Sequence, residues 1–254
     1  MQLLVERRRV KRAIRKSYLP ELDYTVNPYI GCAHGCVYCY ARLYCEKRIG
    51  ERWGEIVVVK ENILEVLVRE VRRIKRGTVA LSTATDAYQF IERDEKLSRE
   101  VLRFLLENGF RVSIQTKSPL VLRDLDIIRE NSEKVDVGFT ITTLNDDLAK
   151  IIEPNAPLPS ERVKALRKIA DEGIKTWIFL GPMIPGERFE EIVDLAKETK
   201  SILYFDKYRI KPFMISGIAK VLADKAKKID WNQEYIKLKR YCEKNAVIAR
   251  EAFE

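Results

Sequence analysis

Three thiols crowd into one short stretch of this chain, Cys32-Ala-His-Gly-Cys36-Val-Tyr-Cys39. Steps of four and three residues are too tight for a disulfide framework and suit metal ligation. Cys45 and Cys242 bring the total to five, and an odd number concentrated in this way points to a reducing compartment. Three thiolates bind three irons of a cubane and leave the fourth iron open to a non-protein ligand, unlike an electron-transfer cluster held by four cysteines. Gly31 and Gly35 suit such a loop, because they tolerate positive φ and carry no side chain to clash with a cluster. A second donor set is present in the same residues: Cys32, His34, Cys36 and Cys39 have the ligand types of a structural zinc site, although the short Cys32-x-His34 step strains a tetrahedron. Cys45, six residues after Cys39, is either a further ligand or a packed thiol, and Cys242 reads as packed.

A loop of this kind needs a scaffold. Apolar periodicity and Gly or Pro stops predict helices over 61–76, 97–108, 122–131, 160–172 and 187–200. Strands are expected over 24–29, 78–82, 111–116, 135–142, 174–180 and 208–213. Strands alternating with helices predict an α/β fold with a parallel sheet, curled by right-handed crossovers into a partial (β/α)6 TIM-like barrel. Residues 1–20 read as a basic N-terminal arm, 21–216 as the barrel, and 217–254 as a C-terminal helical extension of the same domain. Ligands of such sheets gather at the C-terminal ends of the strands, and the cysteine loop directly follows the first strand.

The motif Cys-x3-Cys-x2-Cys, with an aromatic residue before the last cysteine, resembles the signature of the radical S-adenosylmethionine superfamily. The longer string NPYIGCAHGCVYCYAR resembles its spore photoproduct lyase-like branch. The similarity continues through TATDAYQFIE, TKSPLVLRDLDII, TITTLNDDLAKIIEPNAPLPSERVKALRKI and FLGPMIPG, and covers residues 24–212. The resemblance implies a [4Fe–4S] cluster on Cys32, Cys36 and Cys39, with the amino and carboxylate groups of S-adenosylmethionine on the open iron. It implies reductive cleavage to a 5′-deoxyadenosyl radical that takes hydrogen from a substrate. It further implies that Tyr38 and Tyr40 lie on the adenine side, that Thr83, Thr85 and Asp86 meet the methionine amino group, and that Lys117 and Arg162 face its carboxylate. Thr140 and Thr142, which share a strand face, are expected at the ribose. Glu153 is expected at the same sugar or paired with Arg162, and Pro182 and Met183 against adenine. Capping of strand ends is the plain alternative for Thr83, Thr85 and Asp86.

The net charge of +9 makes a polyanion worth testing as a partner. The charge gathers in Arg7, Arg8, Arg9, Lys11 and Arg12 of the arm and in Lys225, Lys227, Lys228, Lys237 and Lys239 near the C-terminus. DNA or RNA is therefore compatible with this chain, while the competing reading is that the arm packs on the barrel or is solvated and binds nothing. Spore photoproduct lyases carry a hydrogen-donor cysteine near the second strand, and ALSTATDAYQF has none, which counts against thymine-dimer repair. An electron donor such as a ferredoxin or flavodoxin is implied. No apolar run is long enough to span a membrane, and the charged N-terminus lacks the apolar stretch of a signal peptide, so a cytoplasmic location is expected. The competing functional classes are a zinc-stabilised nucleic-acid-binding module and a non-catalytic iron–sulfur protein.

Overall fold

The computed structural model describes residues 3–252. The chain begins with β1 (Leu4–Arg8), β2 (Ile14–Lys16), β3 (Tyr24–Val26), β4 (Tyr29–Ile30), α1 (Lys47–Glu51), β5 (Ile56–Lys60) and α2 (Ile63–Glu70). It continues through β6 (Thr78–Leu81), α3 (Glu92–Glu95), α4 (Leu97–Glu107), β7 (Arg111–Thr116), α5 (Leu125–Glu130), β8 (Val135–Thr140), α6 (Asp146–Ile152) and α7 (Pro159–Asp171). The last elements are β9 (Lys175–Leu180), α8 (Glu190–Glu198), β10 (Ile202–Phe205), α9 (Gly217–Ala226), α10 (Trp231–Lys244) and β11 (Ala249–Glu251).

Six of these strands, β3, β6, β7, β8, β9 and β10, lie side by side in chain order and are all parallel. With helices between successive strands, this is the expected partial barrel. β11 adds a further parallel strand beside β10, and β2 closes the other edge antiparallel to β3. The two edges approach one another: Glu21, in the turn between β2 and β3, accepts a hydrogen bond from Tyr204 of β10 at 2.9 Å and pairs with Arg250 of β11.

Strand residues alternate between two environments. On β7, Val112 and Ile114 are buried in the helix-side core, whereas Ser113 and Gln115 face the barrel interior. On β8, Val135, Val137 and Phe139 join the helix-side core, and Asp136 and Thr140 line the interior. Each fully buried aliphatic side chain contributes roughly 1.5–3 kcal/mol. Helix ends follow local chemistry: Asn145 caps α6 by accepting from the Asp147 and Leu148 amides at 3.0 and 3.1 Å. Gly109, at φ +80, closes α4 while the Phe110 amide returns to the Leu105 carbonyl at 3.1 Å.

Two expectations are corrected, and one left open is decided. The sixth strand is Ile202–Phe205, and 208–213 is a loop beside the barrel mouth. Extending the preceding helix to residue 200 left the apolar run Ile-Leu-Tyr-Phe unread, although α8 ends at Glu198 and β10 starts four residues later. Of the readings of the N-terminal arm, packing holds for its strands, because β1 pairs in parallel with β5 and β2 pairs with β3. Arg7, Arg8 and Arg9 each meet a carboxylate, on Glu95, Glu46 and Glu65. The C-terminal region is not purely helical, since β11 enters the main sheet and Tyr235, Leu238 and Cys242 of α10 join its core. Among the described residues, no helix is long and apolar enough to cross a membrane.

Candidate functional site

The cysteine loop leaves β4 through Gly31, whose φ of +81 favours glycine and where a Cβ would overlap the Ile56 carbonyl oxygen. Two remote segments then hold the loop by its backbone. From beyond β6, the Gln89 side chain accepts from the Ala33 amide at 2.8 Å. From the end of α6, the Ile152 carbonyl accepts from the Val37 amide at 2.9 Å, and from the turn after it the Asn155 amide donates to the His34 carbonyl at 3.2 Å and the Asn155 side chain donates to the Ala33 carbonyl at 3.0 Å. Cys32, Cys36 and Cys39 are free thiols that line one cavity of about 1320 Å³, which runs through the barrel interior from the cysteine loop to Thr78, Lys175 and Ile202 at the opposite strand ends. Burial pushes all three thiols up, Cys36 to about 12, with Lys117 working against the rise at Cys36 and Cys39. Cys45 packs beside Ile49, Ile56 and Val58, and Cys242 lies in the main core, so neither reaches the cavity wall.

Asp86, just beyond β6, ties the loop to the next strand. One of its oxygens accepts from the Thr116 hydroxyl at 2.7 Å and the Tyr88 amide at 2.8 Å, and the other accepts from the Lys117 amide at 2.8 Å. His34 Nδ1 lies 3.4 Å from that second oxygen. The imidazole is buried, and desolvation pushes it below its ordinary value against the pull of Asp86. Thr85 donates to the Gly31 carbonyl at 2.5 Å and Thr83 shares a hydrogen bond with Thr25 at 3.0 Å, so both hydroxyls brace the loop's surroundings.

A second carboxylate organises the other side. Glu153 is fully buried and accepts from the Tyr38 hydroxyl, from Thr142 at 3.0 Å and from the Arg162 guanidinium, with Lys117 Nζ 3.8 Å away. Desolvation alone would raise its pKa, but Arg162, then Lys117 and the Tyr38 hydrogen bond, hold it down at about 2. Arg162 is likewise buried, and its other nitrogens donate to the Pro157 carbonyl at 2.8 Å and the Thr140 carbonyl at 3.1 Å. The guanidinium is thus spent inside the protein and is absent from the cavity wall.

Of the residues singled out in the sequence, Tyr38, Tyr40, Thr83, Thr85, Asp86, Lys117, Thr140 and Pro182 line the same cavity as the thiols. Lys117 lies over the Tyr38 ring at 5.7 Å, and the half-exposed Tyr40 donates to the Thr83 carbonyl. Thr142 and Met183 line a neighbouring, smaller cavity of about 290 Å³, with Phe189 and Trp231. Sequence reasoning missed Gln89 and Asn155, whose work is on backbone atoms, and the interior residues Ser113, Gln115, Asp136 and Trp177. Alternation of polar and apolar residues along RVSIQT and VDVGFT was the available signal for three of them.

The Glu153 pair predicts an acid-sensitive element. Because its folded pKa lies below the ordinary 4.5, its contribution is fully present above pH 4.5 and is lost as pH falls toward about 2. The size of that contribution is on the order of 3 kcal/mol. In Glu153→Gln this part of the acid dependence should vanish. Stability at neutral pH should drop by roughly 3–5 kcal/mol, because Arg162 is left buried without its partner. Urea unfolding from pH 2 to 7 checks both, and parallel pH profiles for the two proteins would exclude the pair as the cause.

Comparison with known proteins adds family membership. The Radical SAM superfamily profile matches residues 26–199. A Methanocaldococcus jannaschii protein described as uncharacterized is 37% identical over 204 residues, covering 80% of this chain and 77% of its own. A protein of Acidianus two-tailed virus, also described as uncharacterized, is 30% identical over 222 residues and covers 84% and 70%. Among solved structures, spore photoproduct lyase complexed with dinucleoside spore photoproduct superposes with a TM-score of 0.69 at 18% identity, covering 99% of this chain and 82% of that one. Streptococcus suis SuiB bound to S-adenosylmethionine gives a TM-score of 0.54 at 14% identity, covering 91% and 49%. These two likenesses concern the fold, whereas the profile match extends from β3 past α8, across the cysteine loop and the strand ends around it, and so the chain belongs to the Radical SAM superfamily.

Proposed function

We propose that this radical SAM enzyme holds a [4Fe–4S] cluster on Cys32, Cys36 and Cys39 and reductively cleaves S-adenosylmethionine to act on a further substrate. The observation that carries this reading is that three thiols of one loop, and no other cysteine, line a large cavity beside Lys117, Asp86 and Tyr38. The donor set fits the cluster, since three thiolates leave one iron for the substrate side. Among the described residues, no three His, Cys, Asp or Glu side chains gather closely enough to hold a single metal ion. The alternative zinc site would need its ligands drawn to one point. When bound, the cluster supplies the electron that breaks a carbon–sulfur bond of S-adenosylmethionine and gives the 5′-deoxyadenosyl radical, with a ferredoxin- or flavodoxin-type protein as donor.

The chain's own residues bind and orient. Lys117, with only 13% of its side chain exposed, presents a cation to the methionine carboxylate, and Glu153 and the Tyr38 ring fix its position. Thr140 offers a hydroxyl at the end of β8 for the ribose, and Tyr38 and Pro182 supply flat apolar surface for adenine. Thr83, Thr85 and Asp86 are assigned to the amino end, where their hydrogen bonds to the loop and to β7 keep the wall rigid. Arg162 acts through Glu153 rather than by contact. Burial of these groups strengthens each electrostatic interaction.

A nucleic-acid substrate draws support from Lys200, Lys207 and Lys211, which line the cavity and form no ion pair among the described residues. The paired arginines of β1 and the turn after it offer less. Binding to single-stranded DNA or RNA should weaken with salt, with a log–log slope of about −0.7 per phosphate contacted. Replacing the three lysines together by Ser should flatten the slope. Undetectable or salt-independent binding would remove nucleic acid from consideration.

The cluster reading is tested by anaerobic reconstitution. Alanine at Cys32, Cys36 or Cys39 should abolish bound iron and acid-labile sulfide, whereas Cys45→Ala and Cys242→Ala should retain both. The reduced wild-type protein should change its electron paramagnetic resonance spectrum with S-adenosylmethionine and release 5′-deoxyadenosine. Full iron and sulfide in Cys36→Ala, or a spectrum indifferent to S-adenosylmethionine, would overturn it.

A further inference from the structure

We infer that the barrel interior beneath the cysteine loop is a binding pocket for a planar heteroaromatic amine, which rests flat against Trp177 and donates N–H groups to Asp136 and Gln115. Closed (β/α)8 barrels fill their interior with branched aliphatic side chains. Here the register places Gln115, Gly138 and Trp177 level with one another, Ser82 follows Leu81 to the same level, and Ser113 and Asp136 face each other one layer below. These are short, polar or planar groups, and the cavity runs through them.

The polar atoms are unevenly satisfied. Asp136 Oδ1 accepts from the Ser113 hydroxyl at 2.5 Å and from Trp177 Nε1 at 2.7 Å, while Oδ2 accepts from no described residue. Gln115 donates to Thr140 Oγ1 at 3.1 Å, and its carbonyl oxygen has no donor among the described residues. Ser82 is 3% exposed, its hydroxyl has no partner, and its φ is +74. A non-glycine residue at such φ costs about 1–2 kcal/mol and persists where its surroundings demand it, most often at functional sites. The indole of Trp177 occupies space that only a glycine at 138 leaves open, and Tyr204 braces it edge-on at 5.5 Å. Free acceptors call for a ligand with N–H donors, and the indole calls for a flat one.

This pocket rests on the proposed function as the substrate side of the same cavity, because the three thiols that would hold the cluster and the residues of the pocket line one continuous space. The probe is 2-aminopyrimidine, compared with pyrimidine, titrated by calorimetry into reconstituted protein saturated with S-adenosylmethionine. The amine should bind at least about tenfold more tightly, the difference expected for a hydrogen bond to a carboxylate. Asp136→Asn should bring the two affinities together. Ser82→Gly, which suits the positive φ and removes the hydroxymethyl group, should weaken the amine several-fold and decides the matter if Asp136→Asn does not fold. Equal or undetectable affinities in the wild type, or a preference unchanged in the variants, would overturn the pocket. The same samples are assayed for 5′-deoxyadenosine. Nucleoside production without amine preference removes the pocket alone, and amine preference without nucleoside removes the radical reading and leaves the pocket standing.

Discussion

A carboxylate cannot sit fully buried without compensation, and Glu153 is buried completely. Its partners therefore have no freedom to wander. Tyr38 lies between the second and third cysteines, Thr142 follows β8, Arg162 belongs to α7, and Lys117 stands at the end of β7. One buried charge thus joins the cysteine loop to three parts of the barrel. Its neighbours Ile152 and Asn155 continue the job on the loop backbone. The loop conformation is fixed by groups the loop does not contain, so the thiols are oriented before any ligand arrives.

Asp86 makes the corresponding junction on the opposite side, joining β6, β7 and His34. Between these two anionic anchors lies Lys117, whose amide serves Asp86 and whose ammonium faces Glu153. Placing a cation by two separate attachments is a form of preorganisation: the cost of ordering it is met in folding and not again on binding. The polar barrel interior has the opposite character: among the described residues, Ser82 Oγ, Asp136 Oδ2 and the Gln115 carbonyl oxygen meet no donor.

The sequence made the three thiols and five of the six barrel strands legible, because cysteine spacing and apolar periodicity are local signals. β10 was missed since four apolar residues directly after a helix carry no period of their own. β1 and β5 escaped because their pairing joins residues some fifty positions apart. Eight of the twelve expected cofactor residues line the thiol cavity; Arg162 does not, because its charge neutralises Glu153, and this was left open by the sequence. Gln89 and Asn155 were invisible for a different reason. Their side chains serve main-chain atoms of a remote loop, and no spacing rule reports that. The positive charge of the N-terminus was legible, but its carboxylate partners on Glu46, Glu65 and Glu95 were not.

The central claim is that three thiolates leave one iron of a cubane available to S-adenosylmethionine. Mössbauer spectroscopy of protein reconstituted with ⁵⁷Fe addresses it at the level of individual irons. The account predicts that adding S-adenosylmethionine changes the isomer shift of one iron site in a [4Fe–4S] cluster and leaves the rest unaltered. A spectrum in which no iron site responds, at saturating S-adenosylmethionine and full cluster content, would contradict it.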